Sequence, residues 1–195
     1  MMKIKGEKIT LQAITNSDKD YFYTIATKSD GAKFWYDDGQ REKRSKEAFF
    51  KDWNEGHFEI EKPMSGQCFW IIADDKKIGV IAYNVVDEKN KQTEIDIIIG
   101  DEEDMNKGYG SDAIHTLCEY IFKTLKLNKV WIEARMNNPR AVKAYKKAGF
   151  KEEAVLEKSD FFQGEYVDCV RLGLLRKNFI SIIQKPCSHF WRLSR

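Results

Sequence analysis

The chain has 195 residues, 42% of them hydrophobic and 33% charged, with a formal net charge of +2. That length supports one domain whose core needs neither disulfides nor metals, and the near-balanced charge argues against a nucleic-acid partner. No run approaches the ~20 apolar residues of a membrane helix, and the start, MMKIKGEKIT, lacks the apolar stretch of a signal peptide. The expectation is a cytoplasmic protein with no membrane partner. Cys68, Cys118, Cys169 and Cys187 are far apart and form no C-x-x-C pair, so they read as reduced, mostly buried thiols, and no zinc site is expected.

In chain order, residues 8–14 (KITLQAI) alternate as a strand, and Asn16 or Ser17 offers an N-cap to the helical stretch that follows. After the aromatic and acidic KFWYDDG comes a second helical pattern, REKRSKEAFFKDW at 41–53. The period then changes to two. QCFWIIAD (67–74) and KIGVIAYNVVD (77–87) flank Asp75-Lys76 as a β-hairpin, and TEIDIIIG (93–100) follows as a strand. On that strand Ile95, Ile97 and Ile99 share one face while Glu94, Asp96 and Ile98 share the other. From Gly108 to Leu125 the spacing of Ala113, Ile114, Leu117, Ile121, Phe122 and Leu125 predicts an amphipathic helix. KVWIEARM (129–136) is a strand with Val130, Ile132, Ala134 and Met136 on one side. In NNPRAVKAYKKAGF, Asn138 as N-cap, Pro139 at the first helical position and Gly149 past the end delimit a short helix. Two strands near 150–158 and 166–176 pair around FFQGEY, and the basic, aromatic stretch 177–195 reads as a C-terminal tail. Hairpins first and a βαβ crossover late predict α+β (mixed α/β) architecture, a mixed and mostly antiparallel sheet flanked by helices.

The sequence MNKGYGSDA (105–113) leads from a strand into a helix, as phosphate-binding turns do. GYGSDA also satisfies the dinucleotide pattern G-x-G-x-x-A, with Glu133 about 20 residues on. That pattern belongs in a tight turn after a first strand, whereas about eight residues intervene here and antiparallel-type strands precede. A glycine-rich helix start with no ligand is a third reading.

NKGYGSDA matches Q/R-x-x-G-x-G/A through Gly108 and Gly110. NNPRAVKAYKKAGF matches N-x-x-A-x-x-x-Y-x-K-x-G-F through Asn138, Ala141, Tyr145, Lys147, Gly149 and Phe150. With one helix and one strand between them, the two motifs resemble the GNAT superfamily of acetyl-coenzyme A-dependent N-acetyltransferases, over roughly residues 66–175 and, by element order, the N-terminal strand. Met105 stands where the family usually has Arg or Gln, which puts a side-chain contact to the pyrophosphate in question. The resemblance implies a GNAT-like domain over 1–176 with acetyl-coenzyme A as cosubstrate. It implies coenzyme contacts at Ile98, Ile99 and Gly100, at Met105, Asn106, Lys107, Gly108, Tyr109, Gly110 and Ser111, and at Asn138, Ala141, Tyr145 and Lys147. It further implies backbone donors to the thioester carbonyl at Ile98 to Gly100 and to the pyrophosphate at Lys107 to Ser111.

By the same resemblance, Tyr145 returns a proton to the departing thiolate. Glu94 or Asp96, beside the thioester, accepts the amine proton directly or through a water. No Ser/His/Asp or Cys/His nucleophile arrangement is visible, which favours direct attack by the amine, and His57, His115 and His189 read as non-catalytic. FFQGEYVDCVRLGL resembles, through Phe161, Gly164 and Asp168, the branch holding ribosomal-protein N-terminal and spermidine acetyltransferases, in which a homodimer is common. The acidic YDDG and DEED segments hint at a cationic amine, with Phe34, Trp35 and Tyr36 as a candidate acceptor wall. A small-molecule or peptide amine is the expected acceptor, no metal is expected, and aminoglycoside modification or a non-catalytic acyl-coenzyme A sensor are the alternatives.

Overall fold

The computed structural model describes residues 2–34, 45–51, 53, 55–59 and 61–183. One eight-stranded sheet runs through the molecule. Its strands are β1 (Lys3–Lys5), β2 (Thr10–Ala13), β3 (Gln67–Ala73), β4 (Lys76–Tyr83), β5 (Gln92–Ile99), β6 (Lys129–Arg135), β7 (Lys151–Phe162) and β8 (Glu165–Leu175). They lie in the order β1-β2-β3-β4-β5-β6-β8-β7. Every neighbouring pair is antiparallel except β5 and β6, which are parallel. The helices are α1 (Lys19–Lys28), α2 (Lys46–Phe50), α3 (Tyr109–Lys123), α4 (Pro139–Lys147) and α5 (Arg176–Ile183). The expected mixed, mostly antiparallel sheet is thus observed.

Both sheet faces are covered, which is why CFWII (68–72) reads as an unbroken apolar run. Phe69 and Ile71 point into one core with Ile81, Ile95, Ala113, Leu117, Ile121, Val130, Leu172 and Tyr145. Cys68 and Trp70 point the other way, among Phe22, Ala26, Phe49, Phe58, Val80 and Ile98. Ile97 and Ile99 pack on the first core and Ile98 in the second, the division that the period of two predicts. Cys68, Cys118 and Cys169 are buried free thiols; Cys187 lies outside the described residues.

Several expectations shift. The hairpin turn is Asp74-Asp75, not Asp75-Lys76. Both residues have positive φ (47° and 61°), as a two-residue turn of the I′ kind demands and Asp tolerates. β4 stops at Tyr83; of the following residues Asn84 still bonds to β5 at Glu94, and Asp87 bridges to Gln92. The short β1 went unpredicted. Thr15, not Asn16 or Ser17, precedes the first helical turn, and its N–H donates to the Asp18 carboxylate at 3.1 Å. Met136 lies past the end of β6 and is exposed, so it does not continue the Val130 face. The His115 ring packs against Phe179 at 4.9 Å. Of the helix expected over 41–53, α2 forms only Lys46–Phe50; residues 51 and 53 fall beyond its end, and 41–44 and 52 lie outside the described residues. Packing also continues past residue 176: α5 carries Phe179, 1% exposed, into the main core. Residues 184–195 of the expected tail lie outside the described residues.

Phe179→Ala should therefore cost about 3–5 kcal/mol, read as a lower urea midpoint at unchanged slope. A variant within ~0.5 kcal/mol of wild type would show that α5 is dispensable to the core.

Candidate active site

The ladder between β4 and β5 sets the site. Asn84 N–H donates to the Glu94 carbonyl at 2.9 Å, and Gly100 N–H to the Ile78 carbonyl at 2.8 Å. In an antiparallel ladder these two bonds turn the backbone groups of Glu94, Asp96 and Ile98 and the Gly100 N–H toward β4, and the groups of Ile97 and Ile99 toward β6; the Gly100 carbonyl accepts from Gly31 N–H at 2.8 Å. β6, however, pairs with β5 only over Gln92 to Glu94, opposite Lys129 to Trp131. Beyond that point β6 stays with β8 through Arg135, while β5 stays with β4 through Ile99. The strands part, and a cleft of about 720 Å³ opens between them. The expected carbonyl donors at Ile98 to Gly100 are thus corrected. Ile98 and Gly100 are committed to β4, whereas Ile97, missed from the sequence, and Ile99 present their N–H groups to the cleft.

The loop before α3 forms one wall. Asn106 and Gly108 both take left-handed conformations (φ 62° and 87°) on either side of Lys107, a curve that gathers successive N–H groups inward. No side chain caps α3, and its first helical bond runs from Asp112 N–H to the Gly108 carbonyl. The N–H groups of Tyr109, Gly110 and Ser111 therefore have no partner within the helix. A Cβ at Gly110 would make only ordinary 3.8 Å contacts with Ile97 and Ile99. The fold itself does not require that glycine, and the space it leaves belongs to the cleft. This is a cradle suited to a pyrophosphate.

α4 forms the opposite wall. Asn138 Oδ1 accepts from Ala141 N–H at 3.2 Å, so its oxygen caps the helix and the side chain also lines the cleft. Arg140 donates to the Met105 sulfur at 2.8 Å and bridges the two walls. Tyr145 is 8% exposed and lines the cleft floor. Burial, then the negative charge of Asp96, pushes its phenol far up, so it stays protonated at neutral pH.

Three carboxylates meet where the strands part. Asn84 Nδ2 donates to Asp96 Oδ2 at 2.9 Å and to Glu94 Oε2 at 3.3 Å. Asp96 lines the cleft and Glu94 lies behind it. Glu133 accepts from Arg171 Nε at 2.7 Å, and that guanidinium lies over Trp131 at 4.2 Å. Burial, reinforced by Asp96 and Glu133, raises Glu94 to about 7. Burial also raises Asp96.

A model of the acetyltransferase (GNAT) domain matches residues 8–151. The chain belongs to the GNAT family. It is an acetyl-coenzyme A-dependent N-acetyltransferase. Similar proteins include the spermidine N(1)-acetyltransferase of Vibrio cholerae, 24% identical over 90% of this chain and 98% of the relative. The ribosomal-protein-serine acetyltransferase of Escherichia coli is 27% identical over 58% of this chain and 63% of the relative. The crystal structure of the V. cholerae enzyme in complex with CoA and spermine superposes with a TM-score of 0.75 at 24% identity, covering 89% of this chain and 98% of that one.

Within this GNAT domain, the cleft gathers Asp96, Ile98, Ile99, Met105, Asn106, Gly108, Gly110, Ser111, Asn138, Ala141, Tyr145 and Lys147 of the expected residues. Glu94, Gly100, Lys107 and Tyr109 do not line it. Arg140, which the motif reading passed over, does line it; its place in the first turn of α4 was the available signal. The DEED segment is no open acidic patch. Lys76 Nζ sits 3.1, 2.8 and 3.0 Å from Asp101, Glu103 and Asp104, carboxylates that otherwise group closely enough to hold a cation, and Lys33 pairs with Glu102. Asp168 is structural: it accepts the Lys158 N–H at 2.8 Å where β7 bulges. Gly164 (φ 89°), with Gln163, makes the β7–β8 turn. YDDG, Trp35, Tyr36 and His189 lie outside the described residues, and of Phe34 only the backbone is described.

Because the fold raises the Glu94 carboxyl, it disfavours the charged form, and that contribution to stability falls as pH rises from about 4.5 through 7. Glu94→Gln should be more stable than wild type at pH 8 by on the order of 1–2 kcal/mol, after allowance for partial exposure. The gain should vanish near pH 4. Denaturant midpoints at the two pH values check this, and an equal gain at both would refute the linkage.

Proposed function

We propose that the acceptor is a polyamine or a closely related small cationic amine, acetylated by direct attack. The observation that carries this reading is the floor of the cleft. Asp96, Glu94 and Glu133 gather there, with Arg171 bonded to Glu133 and acting on Glu94, and His57 near Asp96. A surplus of buried negative charge attracts an ammonium group and then takes its proton. The relatives named for spermidine, and the spermine complex of one of them, support the same class.

When bound, acetyl-coenzyme A supplies an activated acetyl group as a thioester. The N–H groups of Gly110 and Ser111 would hold its pyrophosphate, with Asn138, Ala141 and Lys147 along its length. Ile97 and Ile99 N–H would face its carbonyl oxygen, where charge develops. Asp96, backed by Glu94, accepts the proton of the acceptor ammonium. Tyr145 keeps its proton until the sulfur departs, then gives it up. None of these steps calls on a metal ion. Buried, unbridged thiols fit the expected cytoplasmic setting. The reading extends to self-association: a V. cholerae relative is described as dodecameric, and β7 leaves an open sheet edge with Phe161 and Tyr166 exposed beside it.

A thiol-release assay against spermidine, spermine, an aminoglycoside and a peptide with a free N-terminus tests the acceptor. Turnover should be greatest with the polyamines, and a peptide preference would overturn the reading. Tyr145→Phe should lower kcat about 100-fold with little change in KM for acetyl-coenzyme A. For wild type, kcat/KM should rise with pH through about 7, because the carboxylate pair must ionise to accept a proton. A flat profile from pH 6 to 8 would remove the pair from the reaction.

A further inference from the structure

The sequence offers no reason to use His57, yet the fold holds it on several sides. It is 6% exposed within the helical turn Glu55–Phe58. Its carbonyl accepts from the buried Gln67 amide at 2.8 Å, and the Trp53 ring meets its ring edge-on at 5.5 Å. Gly66 keeps space beside it, since a Cβ there would lie 2.9 Å from His57 Nε2.

His57 Nε2 lies 3.2 Å from Asn84 Oδ1. An asparagine amide has two N–H protons and one acceptor oxygen. Those of Asn84 face Asp96 Oδ2 and Glu94 Oε2, two groups that only accept when ionised. The amide oxygen is left toward the imidazole, so Nε2 must carry the proton. A flipped amide would set its oxygen against two carboxylates and its NH2 against the Nε2–H, and both changes are unfavourable.

We propose that His57 is a positioning residue whose Nε2–H locks the Asn84 amide with its NH2 toward Glu94 and Asp96, joining the two carboxylates into one proton-accepting pair. This rests on the reading of those carboxylates as the base. In the step itself the acceptor ammonium gives one proton to Asp96 and keeps the electron pair that attacks the thioester. Asn84 transfers nothing, and its two N–H bonds stabilise the ionised carboxylates. Other groups act on the pair as well. Glu133 faces both carboxylates and Arg171 faces Glu94, while Tyr145 and Cys68 feel the Asp96 charge, and His57 itself lies near enough to Asp96 to act on it by charge.

The test follows the carboxyl resonances of the full chain, labelled with ¹³C in its Asp and Glu side chains, through a pH titration without acceptor or coenzyme. E94Q and D96N assign the two signals. In H57F the amide loses its lock, and the Glu94 midpoint should rise by about one unit, a tenfold gain in proton affinity. H57Q retains an N–H donor and should return within about 0.3 units of wild type. N84L should match H57F, and the double variant should add nothing to either. An unchanged midpoint in H57F or N84L overturns the proposal. So does an H57Q midpoint equal to that of H57F, which would mean that the imidazole acts by charge or bulk. If H57F fails to fold, H57Q and N84L decide it alone. If the midpoints move as expected while D96N still acetylates spermidine at the wild-type rate, the lock is upheld and the base reading alone falls.

Discussion

The parting of β5 and β6 is the constraint on which the rest of the structure depends. A strand in mid-sheet has both edges paired, but β5 is held by β4 to Ile99 and β6 by β8 to Arg135, while the two hold each other over three residues. Neither can follow the other without leaving its antiparallel partner. The backbone groups on the inner edges past Glu94 are therefore left without a strand, and buried backbone groups must find partners. A ligand that lies between the strands and presents a carbonyl to Ile97 and Ile99 meets that need. The crossover through α3 adds to it, because a parallel pair requires a helix between its strands, and this helix begins at the mouth of the parting. One topological choice thus places a helix N-terminus, two free strand edges and a second helix around one space.

The same parting makes the electrostatics. On an intact sheet Asp96 and Glu133 would stand side by side on adjacent strands. Here they face across a gap, where the Glu133 charge adds to the burial that raises Asp96, and the gap is open to a cation. The protein carries a cost for this arrangement, since Glu94 and Asp96 are both shifted toward their neutral forms. Such a cost is characteristic of sites that hold a proton acceptor near the working pH. Burial and then the same Asp96 charge raise Tyr145, which keeps its phenol protonated. The Asp96 charge thus contributes to raising both the Glu94 carboxyl and the Tyr145 phenol.

Much of this was legible in the residues. Helix α4 is delimited in the letters by Asn138, Pro139 and Gly149, each of which acts through local stereochemistry, and it forms as read. The faces of β5 follow from alternation alone. What was not legible depends on contacts remote in sequence. The division of Ile97 and Ile99 from Ile98 and Gly100 is set by which edge β4 occupies, and pattern does not reveal that. His57 looked idle because its partners, Gln67, Asn84 and Asp96, come from three later strands or their ends. The charge of DEED looked available because Lys76, its neutraliser, lies across the sheet at the start of β4.

The segment FFQGEYVDCV shows how fold and site share letters. Gln163 and Gly164 supply the left-handed turn, and Asp168 reaches back to the Lys158 N–H where β7 takes extra residues at 157–159, besides the one at Glu153. That bulge delivers Ser159 and Asp160 to the cleft, where Asp160 pairs with Arg135 at 2.5 Å. Lys158 accepts the strained φ of 47° that the bulge imposes, a cost met by the charge-assisted bond from Asp168. A segment that resembles a family branch in sequence thus also bends an edge strand and sets which residues that strand presents to the cleft.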